Sequence, residues 1–276
     1  MSALLISLLL ITALLPSCAS TVARPRLTAV FLDVGQGDSC LFLLPDGTSM
    51  LIDAGPRSAK DAVVNSLKES GIEKIDYLVF THPHEDHIGG GVAVLEEFDV
   101  GQIYMPRTSH TTKTYEDLLL AIKDKGLSIT EAKAGKTVVD TTDLKAFFLG
   151  PTKNYEDLNN CSAVLCLTYG KVTFILTGDA ESEAEKDMLV AARVPDADVL
   201  KVGHHGSATS TSDEFLDAID PEVAVISVGK DNSYGHPAQK ILDRLAKAGV
   251  DVYRTDLHGT VTLTTNGRDV EVKTER

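Results

Sequence analysis

The chain has 276 residues, 43% of them hydrophobic, which is enough for a sizeable core in one domain or two. Its 40 acidic side chains outnumber the 26 basic ones and give a formal net charge of -14. This charge excludes tight binding of nucleic acid through a general basic surface, disfavours anionic membrane surfaces and favours solubility.

The first twenty residues indicate a targeting segment. Residues 2–20 contain no charged side chain, and the apolar run over residues 4–15 is too short for a confident membrane span. Leu15-Pro16-Ser17-Cys18 resembles a bacterial lipobox, in which Cys18 would carry the lipid that attaches the protein to a membrane. We therefore predict a lipoprotein-type signal peptide over residues 1–20 and an extracytoplasmic location, with plain secretion or an uncleaved anchor as the alternatives.

The remaining residues, 21–276, alternate predicted strands and helices, as in a single α/β domain. In the first half, strands are predicted over 27–34, 40–44, 49–53, 76–81 and 102–106, and helices over 59–70, 91–98 and 115–125. The helix over 59–70 follows from its amphipathic period, which ends at Gly71.

The second half continues the alternation. Strands are predicted over 144–149, 162–169, 172–177, 198–202, 223–228, 252–254, 260–264 and 270–273, and helices over 181–192, 212–219 and 237–248. Ser212 is a plausible N-cap, and Pro237 suits a first helical turn.

One short segment concentrates the chemistry. Three of the eight histidines fall within Thr81-His82-Pro83-His84-Glu85-Asp86-His87-Ile88-Gly89-Gly90. Imidazole and carboxylate are the usual protein ligands of zinc, manganese and iron. Because the segment follows a predicted buried strand, its side chains would be held rigidly at the edge of a sheet. The pattern therefore predicts a metal site.

The same segment resembles the HxHxDHxGG signature of the metallo-β-lactamase superfamily. The resemblance implies a four-layer αββα sandwich that binds one or two metal ions at the edge of its sheets. Members of this superfamily are mostly hydrolases, and many do not act on β-lactams.

Further segments, in order, are similar to the ComEC/Rec2-like branch, known from the extracytoplasmic hydrolase domain of a DNA-uptake channel. They are Phe31-Leu32-Asp33-Val34-Gly35-Gln36-Gly37-Asp38-Ser39, Met50-Leu51-Ile52-Asp53-Ala54-Gly55, Asn159-Asn160-Cys161-Ser162, Ile175-Leu176-Thr177-Gly178-Asp179, Leu200-Lys201-Val202-Gly203-His204-His205-Gly206-Ser207, Tyr234-Gly235-His236-Pro237 and Arg254-Thr255-Asp256. The resemblance covers nearly all of the chain after the first thirty residues. We expect a stand-alone domain of this type.

The resemblance implies a set of ligands for two divalent metal ions, zinc or manganese. His82 and His84 would serve the first ion, Asp86 and His87 the second, and Asp179 would bridge them. Either His204 or His205 would complete the second site, with family spacing favouring His205, and the other would support a ligand or contact substrate. The alternative for Asp179 is a helix N-cap. Asp86 would also take part in catalysis.

The sequence departs from the wider superfamily at one position. Many members carry another histidine just before the strand predicted over 162–169, where this chain has Asn159, Asn160 and Cys161. Because an amide oxygen is a weaker ligand than imidazole, we expect the first metal site to bind less tightly or to accept manganese as readily as zinc.

Several other polar residues are candidates for the site. Asp53 would organise the metal loop through hydrogen bonds or simply end a strand in a turn. His236 would be a general acid or phosphate ligand, or would position Tyr234 and cap a helix. Arg254 and His258 could reach the cleft from the C-terminal strands. Gln36 and Asp38 could line it, or their Gly-rich loop could be an ordinary hairpin. His110 is predicted to be a surface residue.

The sequence therefore predicts a metal-dependent hydrolase that uses a metal-activated water, most simply an extracytoplasmic phosphodiesterase or nuclease. A phosphodiester or nucleic acid would be its substrate, bound locally because no strongly basic surface is present. The alternatives are hydrolysis of another ester, lactone or amide, and a non-catalytic metal-binding module. The oligomeric state stays open.

Overall fold

The computed structural model describes residues 25–191 and 194–276, so the predicted signal peptide and Cys18 lie outside the described residues. The first half contains β1 (Leu27–Phe31), β2 (Cys40–Leu43), β3 (Ser49–Ile52), α1 (Lys60–Glu69), β4 (Lys74–Val79), α2 (Glu85–Ile88), α3 (Gly91–Glu97), β5 (Asp99–Met105), α4 (Lys113–Asp124) and β6 (Ile129–Glu131). The second half contains β7 (Thr137–Asp140), β8 (Leu144–Gly150), β9 (Val164–Tyr169), β10 (Val172–Leu176), α5 (Ser182–Ala191), β11 (Val199–Lys201), α6 (Asp213–Ile219), β12 (Val223–Ile226), α7 (Gln239–Ala248), β13 (Asp251–Arg254), α8 (Thr255–His258), β14 (Val261–Thr265) and β15 (Val270–Thr274).

The strands form two mixed sheets. The first has the order β15-β14-β1-β2-β3-β4-β5-β6, and the second has the order β13-β12-β11-β10-β9-β8-β7. Strands β3 to β6 run parallel in the first sheet, and β10 to β13 run parallel in the second. Each sheet therefore has one half in which the carboxyl ends of neighbouring strands meet at a common edge.

Three apolar clusters define the layers. One cluster joins the facing sides of the two sheets, where the rings of Phe42 and Phe174 pack edge to face at 5.5 Å. A second cluster packs α1, α3 and α4 on the outer side of the first sheet, and a third packs α5, α6 and α7 on the second. The predicted four-layer αββα sandwich is confirmed.

Side-chain alternation explains why both faces of the sheets are buried. In β10, Phe174 points into the cluster between the sheets, whereas its neighbour Ile175 points towards the helices. Since successive strand residues face opposite sides, a strand buried on both faces is mostly apolar. All five residues of β10 are buried and four are apolar, and the hydroxyl of the fifth, Thr173, lies 3.1 Å from that of Thr168.

The predicted elements are found with shifted boundaries, and four short ones were missed. The missed strands β6 and β7 are edge strands with mostly exposed or half-buried residues, so they lack an apolar pattern. The missed helices α2 and α8 have four residues each. The strand predicted over 76–81 ends at Val79, which leaves Phe80 and Thr81 in the loop that carries the metal motif. Ser212 caps α6 as predicted.

In residues 25–191 and 194–276, no helix is long and apolar enough to cross a membrane. The cysteines at positions 40, 161 and 166 are buried and free.

Candidate metal centre

The candidate site lies where the carboxyl ends of the parallel strands from both sheets converge. Asp53 directly follows β3, and the segment with His82, His84, Asp86 and His87 follows β4. From the second sheet, residues after β10 and β11 contribute Asp179 and the His204-His205 pair. Open α/β sheets place ligands at this edge, because loops there can present side chains on a rigid frame.

Asp53 fixes the loop of the metal motif from beneath. Its carboxylate accepts hydrogen bonds from the backbone N–H of Thr81 at 2.7 Å and from the Thr81 hydroxyl at 2.6 Å. It also accepts one from Nδ1 of His87 at 2.8 Å, which leaves Nε2 of that ring directed into the site. Asp53 is fully buried and has a left-handed φ of 58°, a conformation that Asp tolerates better than most residues.

Glycines after the histidines allow the motif to pack tightly. A Cβ on Gly90 would lie 2.2 Å from the carbonyl oxygen of Ala54, and one on Gly89 would lie 2.2 Å from the backbone nitrogen of Arg57. The backbone of the loop therefore approaches the segment that follows Asp53, and any side chain at these two positions would push the loop away.

Four donor groups converge at the centre of the site. One ligand atom each from Asp86, His87, Asp179 and His205 lies within 4.8 Å of the others. Nε2 of His87 is 3.3 Å from Oδ2 of Asp179, and Nε2 of His205 is 3.2 Å from Oδ2 of Asp86. Nε2 of His87 and Oδ1 of Asp179 are buried without a hydrogen-bond partner. Buried polar atoms left without partners and aimed at one point fit a cation.

His82 lies beside Asp179, and His84 lies beside His82. Nε2 of His82 is 2.9 Å from Nδ1 of His84 and 3.7 Å from Oδ2 of Asp179. His82 is fully buried and His84 is partly buried beside the cleft. Burial, together with the neighbouring charge of His87, lowers the pKa of His82 well below its ordinary value, which favours the neutral ring that binds metals.

The two consecutive histidines occupy different environments. His205 is buried, and its Nδ1 donates to the carbonyl oxygen of Ser227 at 2.9 Å, so Nε2 faces the cluster. His204 is partly exposed, and its Nδ1 donates to Glu181 at 3.1 Å while Nε2 lies 3.8 Å from Oδ2 of Asp179. Both residues have left-handed backbones, with φ of 48° and 53°. Two strained residues in succession are typical of functional sites.

The cluster carries opposite charges in close contact. Burial by itself would raise the pKa of Asp179, but His87 and His205 hold it well below its usual range. Burial would likewise lower the pKa of His205, yet Asp179 and Asp38 raise it to about 10. The carboxylates thus hold protons on these rings, and a cation that binds here would take over that charge compensation.

Sequence reasoning missed Lys201, which lies beneath the cluster. Its ammonium is 2.5 Å from Oδ2 of Asp38, and both side chains are almost fully buried. The other oxygen of Asp38 lies 3.4 Å from Nδ1 of His205. A signal was available, since Lys201 ends the short strand β11, whose other two residues are apolar, and a lysine is rarely buried without a partner.

A cleft of about 390 Å³ opens above these residues. Its lining is Gln36, His84, Glu85, Asp86, His110, Thr112, Asn159, Asp179, His204, His205, Tyr234 and His236. The ring of His236 is centred 5.5 Å from that of His204. His110 was predicted to be a surface residue, but its ring lies 5.7 Å from the ring of His84 and lines the cleft. No motif surrounds His110, so only the tertiary structure reveals it.

A family model for the metallo-β-lactamase superfamily matches residues 32–230, and the match includes all the clustered donors. The chain belongs to the metallo-β-lactamase superfamily. This superfamily consists mostly of metal-dependent hydrolases, and the His/Asp cluster fits that chemistry.

Curated relatives narrow the assignment to the ComEC/Rec2-like branch. "ComE operon protein 3" of Bacillus subtilis is 36% identical over 83% of this chain and 32% of the relative. "Competence protein ComA" of Neisseria gonorrhoeae is 32% identical over 83% of the chain and 31% of the relative. "Recombination protein 2" of Haemophilus influenzae is 29% identical over 87% of the chain and 29% of the relative. The chain thus spans about a third of the length of these relatives.

Solved structures share the fold at low sequence identity. CmlA, a diiron β-hydroxylase from Streptomyces venezuelae, aligns with a TM-score of 0.55 at 16% identity, over 87% of this chain and 54% of that one. YhfI of Bacillus subtilis, a metallo-β-lactamase fold protein, aligns with a TM-score of 0.52 at 15% identity, over 83% and 96% of the two chains. These likenesses support the fold.

The two asparagines that stand where many superfamily members have a histidine differ in their contacts. Oδ1 of Asn160 accepts from the backbone N–H groups of Glu181 and Ala184, at 3.1 and 3.2 Å, and so holds the start of α5. Asn159 lines the cleft, and its Oδ1 is buried without a hydrogen-bond partner. Only Asn159 is therefore placed to offer an amide oxygen to the site.

Two C-terminal residues expected to reach the cleft do not line it. The guanidinium of Arg254 pairs with Asp256 at 2.6 Å. The ring of His258 packs on Tyr253 and accepts from the backbone N–H of Arg254. The expectation for these two residues was wrong, because local partners on β13 and α8 hold both side chains. The alternative that His236 caps a helix also fails, since Ala238 is the N-cap of α7.

Proposed function

We propose that this protein is a metal-dependent phosphodiesterase or nuclease that works outside the cytoplasm. The observation that carries the proposal is the convergence of Asp86, His87, Asp179 and His205 within 4.8 Å at the base of an open cleft. His82, beside Asp179, and His84, beside His82, extend the donor set.

In this proposal the donors would hold two divalent ions, zinc or manganese. His82 and His84 would bind the first, Asp86, His87 and His205 would bind the second, and Asp179 would be shared by both. When bound, such ions would supply a water of lowered pKa and positive charge for the developing oxyanion.

The chain's own side chains orient these ligands. Asp53 and the carbonyl oxygen of Ser227 accept from the Nδ1 atoms of His87 and His205, so both rings present Nε2 to the site. Asp53 therefore acts by positioning His87 from below the cleft. His204 and His236 line the cleft and would bind the phosphate or protonate the leaving oxygen.

The lining of the cleft favours a phosphodiester over a neutral ester, lactone or amide. Histidines at positions 84, 110, 204 and 236 surround the opening, and imidazole can donate hydrogen bonds to phosphate oxygens. Relatives named for competence and for recombination agree with a nucleic-acid substrate. The overall charge of -14 limits binding to the cleft itself.

Cleavage of single-stranded DNA and of bis(p-nitrophenyl) phosphate tests the proposal. The protein without residues 1–20 would be assayed with manganese, zinc or EDTA. We expect metal-dependent hydrolysis that falls roughly 100-fold or more in Asp86→Ala, since even residues that support metal ligands contribute 10–100-fold. Glu97→Gln, which removes an exposed carboxylate paired with Lys68, is the matched control and should keep full activity.

Two outcomes would redirect the proposal. Bound metal without cleavage of either substrate would favour another ester, lactone or amide. Absence of bound metal in the wild-type protein would favour a non-catalytic module. Attachment through a lipid on Cys18 is proposed separately, and mass spectrometry of the membrane fraction would test it.

A further inference from the structure

One exposed aromatic side chain at the rim of the cleft has no role in holding metal. Tyr234 is 68% exposed, although it lines the same cleft as the clustered histidines. Its ring stacks on His236, with ring centroids 5.8 Å apart and an interplanar angle of 24°. One face of the phenol ring is therefore supported, and the high exposure leaves the other open to a flat partner.

The loop that carries this stack is held in place by one amide. Oδ1 of Asn232 accepts from the backbone N–H groups of Tyr234 and His236, at 3.1 and 3.0 Å. Its Nδ2 donates to the carbonyl oxygens of Gly229 and His236, at 3.0 and 2.6 Å. Four hydrogen bonds from a single side chain preorganise the loop, so the exposed ring does not have to be ordered when a ligand binds.

The stack is joined to the donor cluster through a short series of contacts. The ring of His236 lies 5.5 Å from that of His204, and Nε2 of His204 lies 3.8 Å from Oδ2 of Asp179. Gly206 packs closely against Pro237, as shown by the 2.6 Å that would separate a Cβ at this glycine from the Cβ of the proline. A ring bound on Tyr234 would thus sit beside the place where a scissile phosphate meets the cluster.

We propose that Tyr234, backed by His236, is the stacking platform for a nucleobase next to the scissile phosphodiester. This inference rests on the phosphodiesterase function proposed above and defines its substrate as a nucleotide-bearing diester. Only a base with a free face can use the platform, so single strands or small dinucleotides fit and an intact duplex does not. Stacking also suits an acidic protein, because it adds affinity without basic side chains.

The test compares substrates that differ only in their bases. Wild type, Tyr234→Ala and Tyr234→Phe would be assayed with metal on a thymidine decamer, an abasic decamer and the thymidine dinucleotide. We expect wild type to cleave the thymidine decamer about tenfold more efficiently than the abasic one. The ratio should fall to near one in Tyr234→Ala and persist in Tyr234→Phe, which keeps the ring.

Other outcomes have defined meanings. The proposal would be overturned if Tyr234→Ala kept the preference for the thymidine decamer over the abasic one. It would also be overturned if Tyr234→Phe lost that preference to the same extent as Tyr234→Ala. Loss of dinucleotide cleavage in Tyr234→Ala but not in Tyr234→Phe would extend the platform to small diesters, whereas the same loss with the decamer alone would confine it to polynucleotides.

Failure of the phosphodiesterase function is distinguishable from failure of the platform. If wild type cleaves none of the substrates with metal, the proposed function fails. Fluorescence anisotropy of labelled decamers with Asp86→Ala, with and without Tyr234→Ala, would then decide the platform. Base-dependent binding that needs Tyr234 supports it, and equal binding by the two variants rejects it.

Discussion

At the residue scale, one carboxylate oxygen organises the site. Oδ2 of Asp179 lies 3.7, 3.3, 3.8 and 3.6 Å from ring nitrogens of His82, His87, His204 and His205 respectively. Protonated rings pair with this carboxylate in the part of the chain that the structure describes. A divalent cation would compensate the same negative charge and accept the nitrogen lone pairs, so it could replace those protons.

The buried ion pair between Lys201 and Asp38 should matter for the stability of the fold. Lys201→Met should destabilise the protein by about 3–5 kcal/mol, because it leaves the buried Asp38 carboxylate without its ammonium partner. Urea unfolding measures the change. The double variant Lys201→Met with Asp38→Asn should recover much of it, since both charges are then removed. A loss below about 1 kcal/mol, as for an exposed ion pair, would contradict the prediction.

At the element scale, helices α5 and α6 are joined by a buried carboxylate. Glu185 on α5 is fully buried and accepts from the backbone N–H groups of Thr211 and Ser212, where α6 begins. Ser212 in turn caps α6 by accepting from Phe215. This link holds the helices that flank the loop with His204 and His205, so the position of that loop depends on contacts outside the cleft.

This carboxylate should give folding stability a specific pH dependence. Burial raises the pKa of Glu185 above 4.5, despite the backbone N–H groups that favour its charged form. A raised pKa in the folded state means that the stability contributed by the group is fully present below pH 4.5 and is lost as pH rises through the folded value.

Glu185→Gln isolates the pH-dependent contribution of this carboxylate to folding stability, because the amide cannot titrate. The stability of the variant relative to wild type should therefore improve as pH rises from below 4.5 to neutrality. Urea unfolding of both proteins across this range gives the difference, in which other titrating groups cancel. A difference that does not change with pH would show that the carboxylate keeps its ordinary pKa in the fold.

At the scale of the whole molecule, the site is assembled from both sheets. Asp53 and the motif with His82, His84, Asp86 and His87 follow strands of the first sheet. Asp179 and the His204-His205 pair follow strands of the second. The apolar cluster between the sheets therefore fixes the relative position of the donors, and ions bound here would link the two halves.

Metal removal should consequently lower thermal stability. With free metal at 100 times its dissociation constant, binding to the folded state raises the free energy of unfolding by about 2.7 kcal/mol. For a protein of this size, that corresponds to roughly 5–10 °C in Tm. Scanning calorimetry with manganese, zinc or EDTA measures the shift. Asp179→Asn should lose most of it, whereas Glu97→Gln should keep it. An equal shift in Asp179→Asn would place the bound metal elsewhere.

The fold family and the donors that lie close together along the chain could be predicted from the sequence. His82, His84, Asp86 and His87 lie within six residues after one apolar strand, so neighbouring positions already bring them together. Apolar runs predicted the positions of the buried strands, whereas the two-sheet sandwich was implied by the resemblance to the superfamily. The strands that were missed, β6 and β7, lie at sheet edges and lack an apolar pattern.

Contacts between distant segments could be established only from the three-dimensional structure. The structure shows that His205 belongs to the donor cluster, whereas His204 lines the cleft beside Glu181. It also shows that Asn159 lines the cleft, whereas Asn160 holds the start of α5. It also brought Lys201 to Asp38 and His110 to the cleft. Local sequence patterns report the period of a strand or helix, whereas these contacts depend on how the packed sheets bring the ends of different strands to one edge.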